Sequence, residues 1–419
     1  MNHKTKLIVF LGSFVIVLYG ISAAFYGRVV AKDDAYKELS VFMEVLKKIN
    51  DEYVEVPNMS NVQEGAMRGL INALDPYCAF LSRERYEAIQ KGTNNGSADV
   101  GIIVSKKSDV VYVVSCEKGS SAAEAGIRPG DYLIAINGRN VEDQNLIEVN
   151  NLLHGPPGSK VRVTIFRNSR TKPAEIEMTF RERSASPVNS KMLEGNVGVL
   201  EVASLSGNAI DQIRLKLKTL ISAGAKRIIL DLRNCAQGDA LAGAELANFF
   251  LPSGIIFYSQ SRGGEKIQLV EADPGKHITD LPTVVLINGS TAGAAEITAG
   301  ALKDNKRALI VGEKSFGLGS AQRKIELRNG SVLILSIAKY CTPSGKVIQD
   351  EITRKTGIFP DIQSPDEETR QDLAVETFFD SDQNDDEKYR QIQEKIDKIQ
   401  MEKALEILSK EEMPARKAA

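Results

Sequence analysis

The side chains that most often carry catalysis or bind metals are few in this chain and lie far apart. Histidine occurs three times and cysteine four times, at His3, His154, His277, Cys78, Cys116, Cys235 and Cys341. So few histidines argue against a histidine-rich metal centre. They also weaken a Ser-His-Asp hydrolase, because one of them lies at the extreme N-terminus. The cysteines have neither the CxxC spacing of a zinc site nor the density of a disulfide scaffold. We therefore expect no metal and no cofactor.

Charge and composition narrow the function classes further. The 419 residues contain 53 Lys and Arg against 55 Asp and Glu, a formal net charge of −2, and 42% of them are hydrophobic. A balanced charge gives no general attraction to nucleic acid, so we expect no nucleic-acid partner. The length suits about two to three domains, and this hydrophobic content is typical of folded domains.

Alternating strand and helix patterns in residues 184–365 predict a core that would position an active site. Strands are predicted at 198–202, 227–232, 283–287 and 308–311, and helices at 209–223, 241–250 and 294–303. Strands separated by helices indicate parallel crossover units. A β-rich stretch follows at 322–340. The predicted fold class is a multidomain chain of α/β and α+β type.

Short strands and tight turns occupy residues 96–183. They include the turn Arg128–Asp131, the strand Tyr132–Ile136, the hairpin turn Asn137-Gly138 and the helix Leu146–Leu153. Their order and spacing resemble a PDZ domain over the whole module. A PDZ domain adds a peptide as an extra strand to a sheet edge, and its exposed backbone N–H groups receive the terminal carboxylate.

The PDZ resemblance implies a set of peptide-binding residues. The receiving segment would consist of Asp99, Val100, Gly101, Ile102, Ile103 and Val104. Val149 and Leu153, on the following helix, either line the pocket for an apolar last residue or pack in the domain core. The expected partners are C-terminal peptides of exported or membrane proteins.

The two ends of the chain differ from its middle. Residues 7–27 carry no charge and are long enough to cross a bilayer. Lys4 and Lys6 precede them, so we expect residues 1–27 to anchor the chain with its bulk outside the cytoplasm. A cleaved signal peptide is the alternative. Residues 28–95 are predicted to form a small domain with helices at 36–53 and 62–74. Residues 366–419 are predicted to form an acidic linker followed by a charged helix at 385–410, which packs or self-associates.

Several longer motifs have a family-specific form. They are Leu74–Tyr77, Gly155–Gly158, Leu230–Asn234, Asn288–Ile297, Gly312–Gln322, Tyr340–Gly345 and Gly357–Ile362. With the PDZ module between the first and the later ones, the chain resembles the C-terminal processing peptidases, also called tail-specific proteases. The resemblance covers residues 36–362.

That family uses a serine nucleophile, a lysine general base and a nearby glutamine. A desolvated lysine has a lowered pKa, and its neutral amine can take the serine proton. By alignment of the motifs, the three positions fall on Gly293, Leu318 and Gln322, and the 25-residue separation of the first two fits the family. The resemblance therefore implies that this chain keeps the glutamine and lacks both the nucleophile and the base.

The loop that helps to form the family's oxyanion hole also departs from the pattern. The family has Asn-Pro-Gly-Gly, whereas this loop reads Asn234-Cys235-Ala236-Gln237-Gly238. The positions concerned are Gln237 and Gly238, together with Ala294. Glycine permits backbone conformations that glutamine adopts only at a cost, so we expect altered geometry.

The sequence therefore predicts a catalytically inactive relative of a serine endopeptidase that binds tails as a scaffold or regulator. Its partner could also be an active relative or a second copy of itself. An active enzyme with displaced residues is the alternative, with Ser290 or Thr291 and Lys314 as dyad or Cys235 as nucleophile. A purely structural membrane-anchored subunit is the second alternative.

Overall fold

The computed structural model describes residues 39–93, 98–107, 109–167, 172–182, 188–350, 355–378 and 385–410. The chain divides into two compact units, Met1–Gly69 and Leu70–Ala419. Helix α1 spans residues 39–52, and helix α2 spans Met59–Asn72. The predicted membrane helix at 7–27 lies outside the described residues. Within those residues, no helix combines the length and apolarity needed to cross a bilayer.

The second unit contains the module predicted at 96–183. A short strand and a helix precede the module, β1 (Ala79–Leu81) and α3 (Arg83–Thr93). The module itself consists of β2 (Ala98–Asp99), β3 (Ile102–Lys107), β4 (Val110–Cys116), α4 (Ser121–Glu124), β5 (Tyr132–Ile136), β6 (Arg139–Asn140), α5 (Leu146–Leu152), β7 (His154–Gly155), β8 (Lys160–Phe166) and β9 (Ala174–Thr179). The sheet order is β3-β4-β5-β8-β9, with β6 on β5, while β2 pairs with β7. All neighbouring strands are antiparallel. Strand β3 therefore lies at an edge of the described sheet.

The remaining elements form the core. They are β10 (Val188–Leu193), β11 (Val197–Val202), α6 (Ala209–Ser222), β12 (Arg227–Asp231), α7 (Ala240–Asn248), β13 (Ile255–Ser261), β14 (Lys266–Glu271), a 3-10 turn (Pro274–Lys276), β15 (Thr283–Ile287), α8 (Ala294–Asp304), β16 (Leu309–Gly312), β17 (Ser320–Glu326), β18 (Val332–Cys341), β19 (Ile362–Gln363), α9 (Glu367–Phe378) and α10 (Asp385–Ser409). The predicted alternation of strands and helices is confirmed.

The central sheet has the order β10-β11-β12-β15-β16-β19. Its strands are parallel from β11 to β19, and only the edge strand β10 is antiparallel. Helices α6, α7 and α8 bury their apolar faces against one side of the sheet. A second sheet, β1-β18-β13-β14, carries β17 as a further partner of β18. The carboxyl ends of the parallel strands, where ligands bind in open α/β sheets, carry the turns that contain residues 234–238 and 288–293.

Helix α10 covers the opposite side of the central sheet. Ala404, Ile407 and Leu408 are buried there against Val199 and Val284. Burial on both faces explains why the parallel strands are almost wholly apolar. The charged tail helix is therefore a packing element of the core, and the predicted acidic linker before it contains the helix α9.

Candidate functional site

Gly293 stands at the turn from strand β15 into helix α8. It is the N-cap of the helix, with φ +60° and ψ −115°. This backbone conformation is strained for residues with a side chain and open to glycine. The turn is held in place by its neighbours, because the Thr291 carbonyl accepts a 2.9 Å hydrogen bond from the Phe316 N–H. Residue 293 therefore lies at a fixed junction between strand β15 and helix α8.

Leu318 faces Gly293 across the site. A Cβ built on Gly293 would lie 3.6 Å from Leu318 Cδ2, at ordinary van der Waals distance, and no other described atom outside the flanking chain lies within 4 Å of it. The two positions that the motif alignment assigns to nucleophile and base are thus brought together. What meets there is a hydrogen atom and a methyl group, neither of which can transfer a proton.

A buried carboxylate, Glu296, aligns the two positions. Its Oε2 accepts hydrogen bonds from the backbone N–H groups of Gly293 at 2.9 Å and Leu318 at 2.7 Å. Its Oε1 accepts from the Gly317 N–H at 2.7 Å and the Ser315 hydroxyl at 2.5 Å. Burial raises the pKa of Glu296 to about 7, against the lowering effect of these four donors. Glu296 therefore ties the start of α8 to the loop that carries Leu318.

Glu296 belongs to the motif Asn288–Ile297, and its residue type and spacing alone predict no role for it. The available signal was a charged residue in the first turn of a helix whose other residues there are alanine and isoleucine. A carboxylate at that place is favoured by the helix dipole. Its contacts with the 315–318 loop depend on the folded chain, so the sequence pattern alone did not reveal them.

The residues considered for a displaced dyad are not brought together. The Ser290 hydroxyl is buried and donates to the Val114 carbonyl at 2.6 Å. The Thr291 hydroxyl donates to a main-chain carbonyl beyond β12 at 2.8 Å. Lys314 is exposed, and its ammonium lies 5.5 Å from the centre of the Phe359 ring. Both hydroxyl groups thus donate to backbone carbonyl oxygens and not to the amine of Lys314.

Cys235 is fully buried beside the same turn. Its carbonyl accepts a 2.9 Å hydrogen bond from the Ala292 N–H. Burial raises the pKa of its thiol to about 12. Because the thiolate and not the thiol is the nucleophile, Cys235 packs as a small apolar side chain at neutral pH. All four cysteines of the chain are free.

The loop predicted to border an oxyanion hole is firmly anchored. Gly238 has φ +124°, and a Cβ there would lie 2.6 Å from the Leu205 Cβ. The Gln237 carbonyl accepts from the Leu205 N–H at 2.9 Å. Gln237 itself keeps a negative φ, so the predicted conformational cost is absent. Its N–H instead interacts with the sulfur of Cys235, which acts to lower the pKa of that thiol against the larger effect of burial.

The other two predicted positions lie on either side of this loop. Ala294 is the first residue of α8 and is buried. Its carbonyl accepts from the Thr298 hydroxyl at 3.2 Å. Gln322 is exposed on β17, where its amide donates to the hydroxyls of Ser320 at 2.8 Å and Ser336 at 3.4 Å. Among the described contacts, Gln322 is therefore linked to the β17–β18 hairpin rather than to residue 293 or 318.

The predicted peptide-binding residues divide into backbone and core. Five apolar side chains are buried in the module's own core: Val100, Ile102, Val104, Val149 and Leu153. Of the two readings of Val149 and Leu153, this burial favours core packing. Strand β3, which carries Ile102, Ile103 and Val104, offers one unoccupied edge within the described sheet. Before it, the Gly101 N–H donates to Asp99 Oδ1 at 2.7 Å.

A cavity of about 700 Å³ lies where the module, the core and the tail helix meet. Tyr112 and Phe316 line it with ring centroids 6.3 Å apart. On another side the Arg128 guanidinium lies 4.3 Å from the centre of the Tyr389 ring of α10. Ser290 also lines it, so the space adjoins the turn that carries Gly293.

Known protein families match the two parts of this architecture. A model of Peptidase family S41 matches residues 196–364, which include the turn at Gly293 and the loop at Leu318. A PDZ domain model matches residues 112–167.

Curated relatives match most of the chain. The chain is 31% identical to a carboxy-terminal-processing protease of Bartonella bacilliformis, over 79% of this chain and 76% of that one. It is 36% identical to a carboxyl-terminal-processing protease of a Picosynechococcus species, over 72% of each chain. The solved structure of the photosystem II D1 C-terminal processing protease superimposes with a TM-score of 0.63 and 27% identity, over 77% of this chain and 92% of that one. The chain belongs to the carboxy-terminal-processing protease family.

Proposed function

We propose that this chain is a catalytically inactive member of its family that binds extended polypeptide segments through its PDZ domain. The observation that supports the proposal most strongly is the pairing of Gly293 with Leu318. The fold that should present nucleophile and base is intact around both residues, and Glu296 holds both backbones. Neither position carries a reactive side chain.

The chemistry of peptide cleavage gives this observation its weight. A serine peptidase needs an oxygen nucleophile and a base that accepts its proton. Gly293 and Leu318 supply neither, and no change of environment can give a hydrocarbon a titratable group. Loss of both leaves only the residual rate that binding and electrostatics provide. The hydroxyls of Ser290 and Thr291 donate to backbone carbonyls, which further disfavours a displaced nucleophile.

Binding is the role that remains for such a chain. The open edge of β3 can pair with an extended segment through main-chain hydrogen bonds. The ligands we propose are segments of exported or membrane proteins, of which the C-terminal tails expected from the family resemblance are one class. An active relative or a second copy of the chain is a further partner in a scaffold or regulatory role. We place the bulk of the chain outside the cytoplasm, on the basis of the apolar residues 7–27.

Incubation of the purified chain with an unfolded protein that has an apolar C-terminus tests the loss of catalysis. We expect no time-dependent fragments. Cleavage that survives repurification and disappears in Ser290→Ala or Lys314→Ala would establish instead an active endopeptidase with displaced residues. Ser222→Ala, an exposed serine on α6, is the matched control.

A further inference from the structure

The loop before the edge strand β3 holds a carboxylate of its own. Gly101, with φ +80°, brings its backbone close to Ser120, since a Cβ at this position would lie 2.2 Å from the Ser120 Cβ. In the PDZ mode of recognition, backbone N–H groups of this loop receive the ligand's terminal carboxylate. Here the Gly101 N–H already donates to Asp99 Oδ1 at 2.7 Å. Asp99 thus already accepts from one of the backbone N–H groups of this loop.

The main chain of Asp99 is held by a pair of backbone hydrogen bonds. Its N–H donates to the Arg181 carbonyl at 3.1 Å, and its carbonyl accepts from the Arg181 N–H at 3.0 Å. Oδ2 lies 4.0 Å from His154 Nε2. Only 8% of Asp99 is exposed. The two backbone bonds fix the main chain of Asp99, and its burial leaves the carboxylate little space to turn away from Gly101.

A second carboxylate arriving at this loop would meet unfavourable charge. The small cavity beside the loop, of about 190 Å³, is lined by Asp99, Glu117 and Glu182 as well as by Lys118 and Arg181. The guanidinium of Arg181 is engaged by a glutamate of α4 at 2.6 Å. Like charges at hydrogen-bond distance repel strongly where water is partly excluded.

We propose that Asp99 replaces the ligand's terminal carboxylate, so that the PDZ domain of this chain selects internal extended segments over free C-termini. The edge of β3 pairs with a segment through its main chain wherever that segment ends, whereas a free carboxylate finds its donor occupied and a negative charge beside it. This inference narrows the proposed function and rests on its peptide-binding part.

Peptide affinities of the full-length chain test this selection. Three fluorescent peptides share one apolar sequence and end in a free carboxylate, in an amide, or in several further residues. By anisotropy, we expect the amidated and extended peptides to bind at least as tightly as the free acid. In Asp99→Gly, which empties the loop, we expect the free acid to gain at least about tenfold over the amide, equivalent to about 1.4 kcal/mol.

Two further variants separate charge from geometry. Asp99→Asn keeps an acceptor for the Gly101 N–H and removes the negative charge, so we expect the free acid to gain less than in Asp99→Gly. It also serves as the second test if Asp99→Gly fails to fold. Asp109→Asn, an exposed carboxylate in the turn between β3 and β4, is the control and should leave the preference unchanged.

Each contrary outcome is decisive. A tenfold preference of the unmodified chain for the free acid would overturn this inference and leave the proposed function standing. If both Asp99 variants showed the same preference among the peptides as the unmodified chain, this inference would also be overturned and the proposed function would stand. Failure of all three peptides to bind the unmodified chain and the Asp99 variants would overturn this inference together with the peptide-binding role. Loss of catalysis is judged separately, by cleavage.

Discussion

Gly293 and Leu318 differ in what the surrounding structure demands of them. The turn at residue 293 fixes φ at +60° and leaves room for a Cβ. Glycine therefore relieves a conformational strain that any side chain at this position must bear. Leu318 fills part of the space opposite. A serine and a lysine at these two positions would require a strained residue at 293 and a desolvated amine in the space that the Leu318 methyl group fills.

The first prediction concerns the strain at this turn. Gly293→Ala should lower the free energy of unfolding by about 1–3 kcal/mol, because alanine has to adopt a positive φ. Urea denaturation measures the change. Gly289→Ala, in the same turn but without a positive φ or a close neighbour, should shift the transition by less. Equal effects of the two substitutions would show that the turn at residue 293 is not strained.

A second prediction at this scale concerns Glu296. Its pKa is about 7 in the folded chain and about 4.3 in an unfolded one. The folded chain therefore holds more protons between these values, and its free energy of unfolding should fall as the pH rises from about 4.5 to 7, by an amount of the order of 3 kcal/mol.

Urea denaturation across this pH range, compared between the unmodified chain and Glu296→Gln, isolates the contribution of Glu296. The variant should be less stable throughout, because it loses hydrogen-bond acceptors for buried donors. It should also lack this part of the pH dependence. Parallel curves for the two proteins would contradict the assignment.

Helix α10 is connected to the central sheet of the second unit by polar contacts. Arg233, next to the turn at residues 234–238, binds Asp231 through its Nη2 at 2.6 Å. Through its Nη1 it reaches Asp397 and Gln400 of α10, both at 3.0 Å. Gln400 is fully buried and donates in turn to the Ser364 carbonyl at 2.8 Å. The tail helix is thereby held against the carboxyl ends of the parallel strands.

Removal of this buried amide should loosen the helix. We expect Gln400→Ala to lower the free energy of unfolding by about 1–3 kcal/mol, because it leaves buried polar groups unsatisfied. Limited proteolysis should also cut α10 faster. Glu402→Gln, two residues further on and exposed, should behave like the unmodified chain. A tail equally resistant in both variants would contradict this role of Gln400.

Elements were predictable where their patterns were strong. The apolar strands and amphipathic helices of the central sheet follow from periodicity, and strand β15 was predicted at its observed bounds. Strand β14 is almost wholly exposed and lacks a buried alternation, so only its pairing with β13 reveals it. The helix α9 lies in an acidic stretch with a weak apolar face, for which local patterns favoured a linker.

The candidate site likewise has positions that the sequence predicts and roles that only the folded chain reveals. Positions 293 and 318 could be assigned because short motifs carry their spacing. The roles of Glu296 and Asp99 could not, because each depends on the backbone donors that the fold brings to a buried carboxylate. Sequence alone likewise placed Val149 and Leu153 equally in a pocket or in a core.

At the scale of the molecule, the PDZ domain and the core meet at the turns that contain Asn234 and Ser290. The Ser290 hydroxyl donates to Val114 of β4, and the Ser115 hydroxyl donates to the Asn234 carbonyl at 2.9 Å. Ser290, considered above as a displaced nucleophile, and Ser115 thus connect the two domains through hydrogen bonds. The domain that carries the edge strand β3 and the domain that carries the turn beside Gly293 are therefore connected by direct hydrogen bonds.

The most direct test of this interpretation compares cleavage by the unmodified chain and by Gly293→Ser combined with Leu318→Lys, on the same unfolded substrate. A lysine at residue 318 would be partly desolvated, which lowers its pKa and suits it as a base. We predict no cleavage by the unmodified chain and measurable cleavage by the double variant. Cleavage by the unmodified chain at the rate of the double variant would contradict the loss of catalysis.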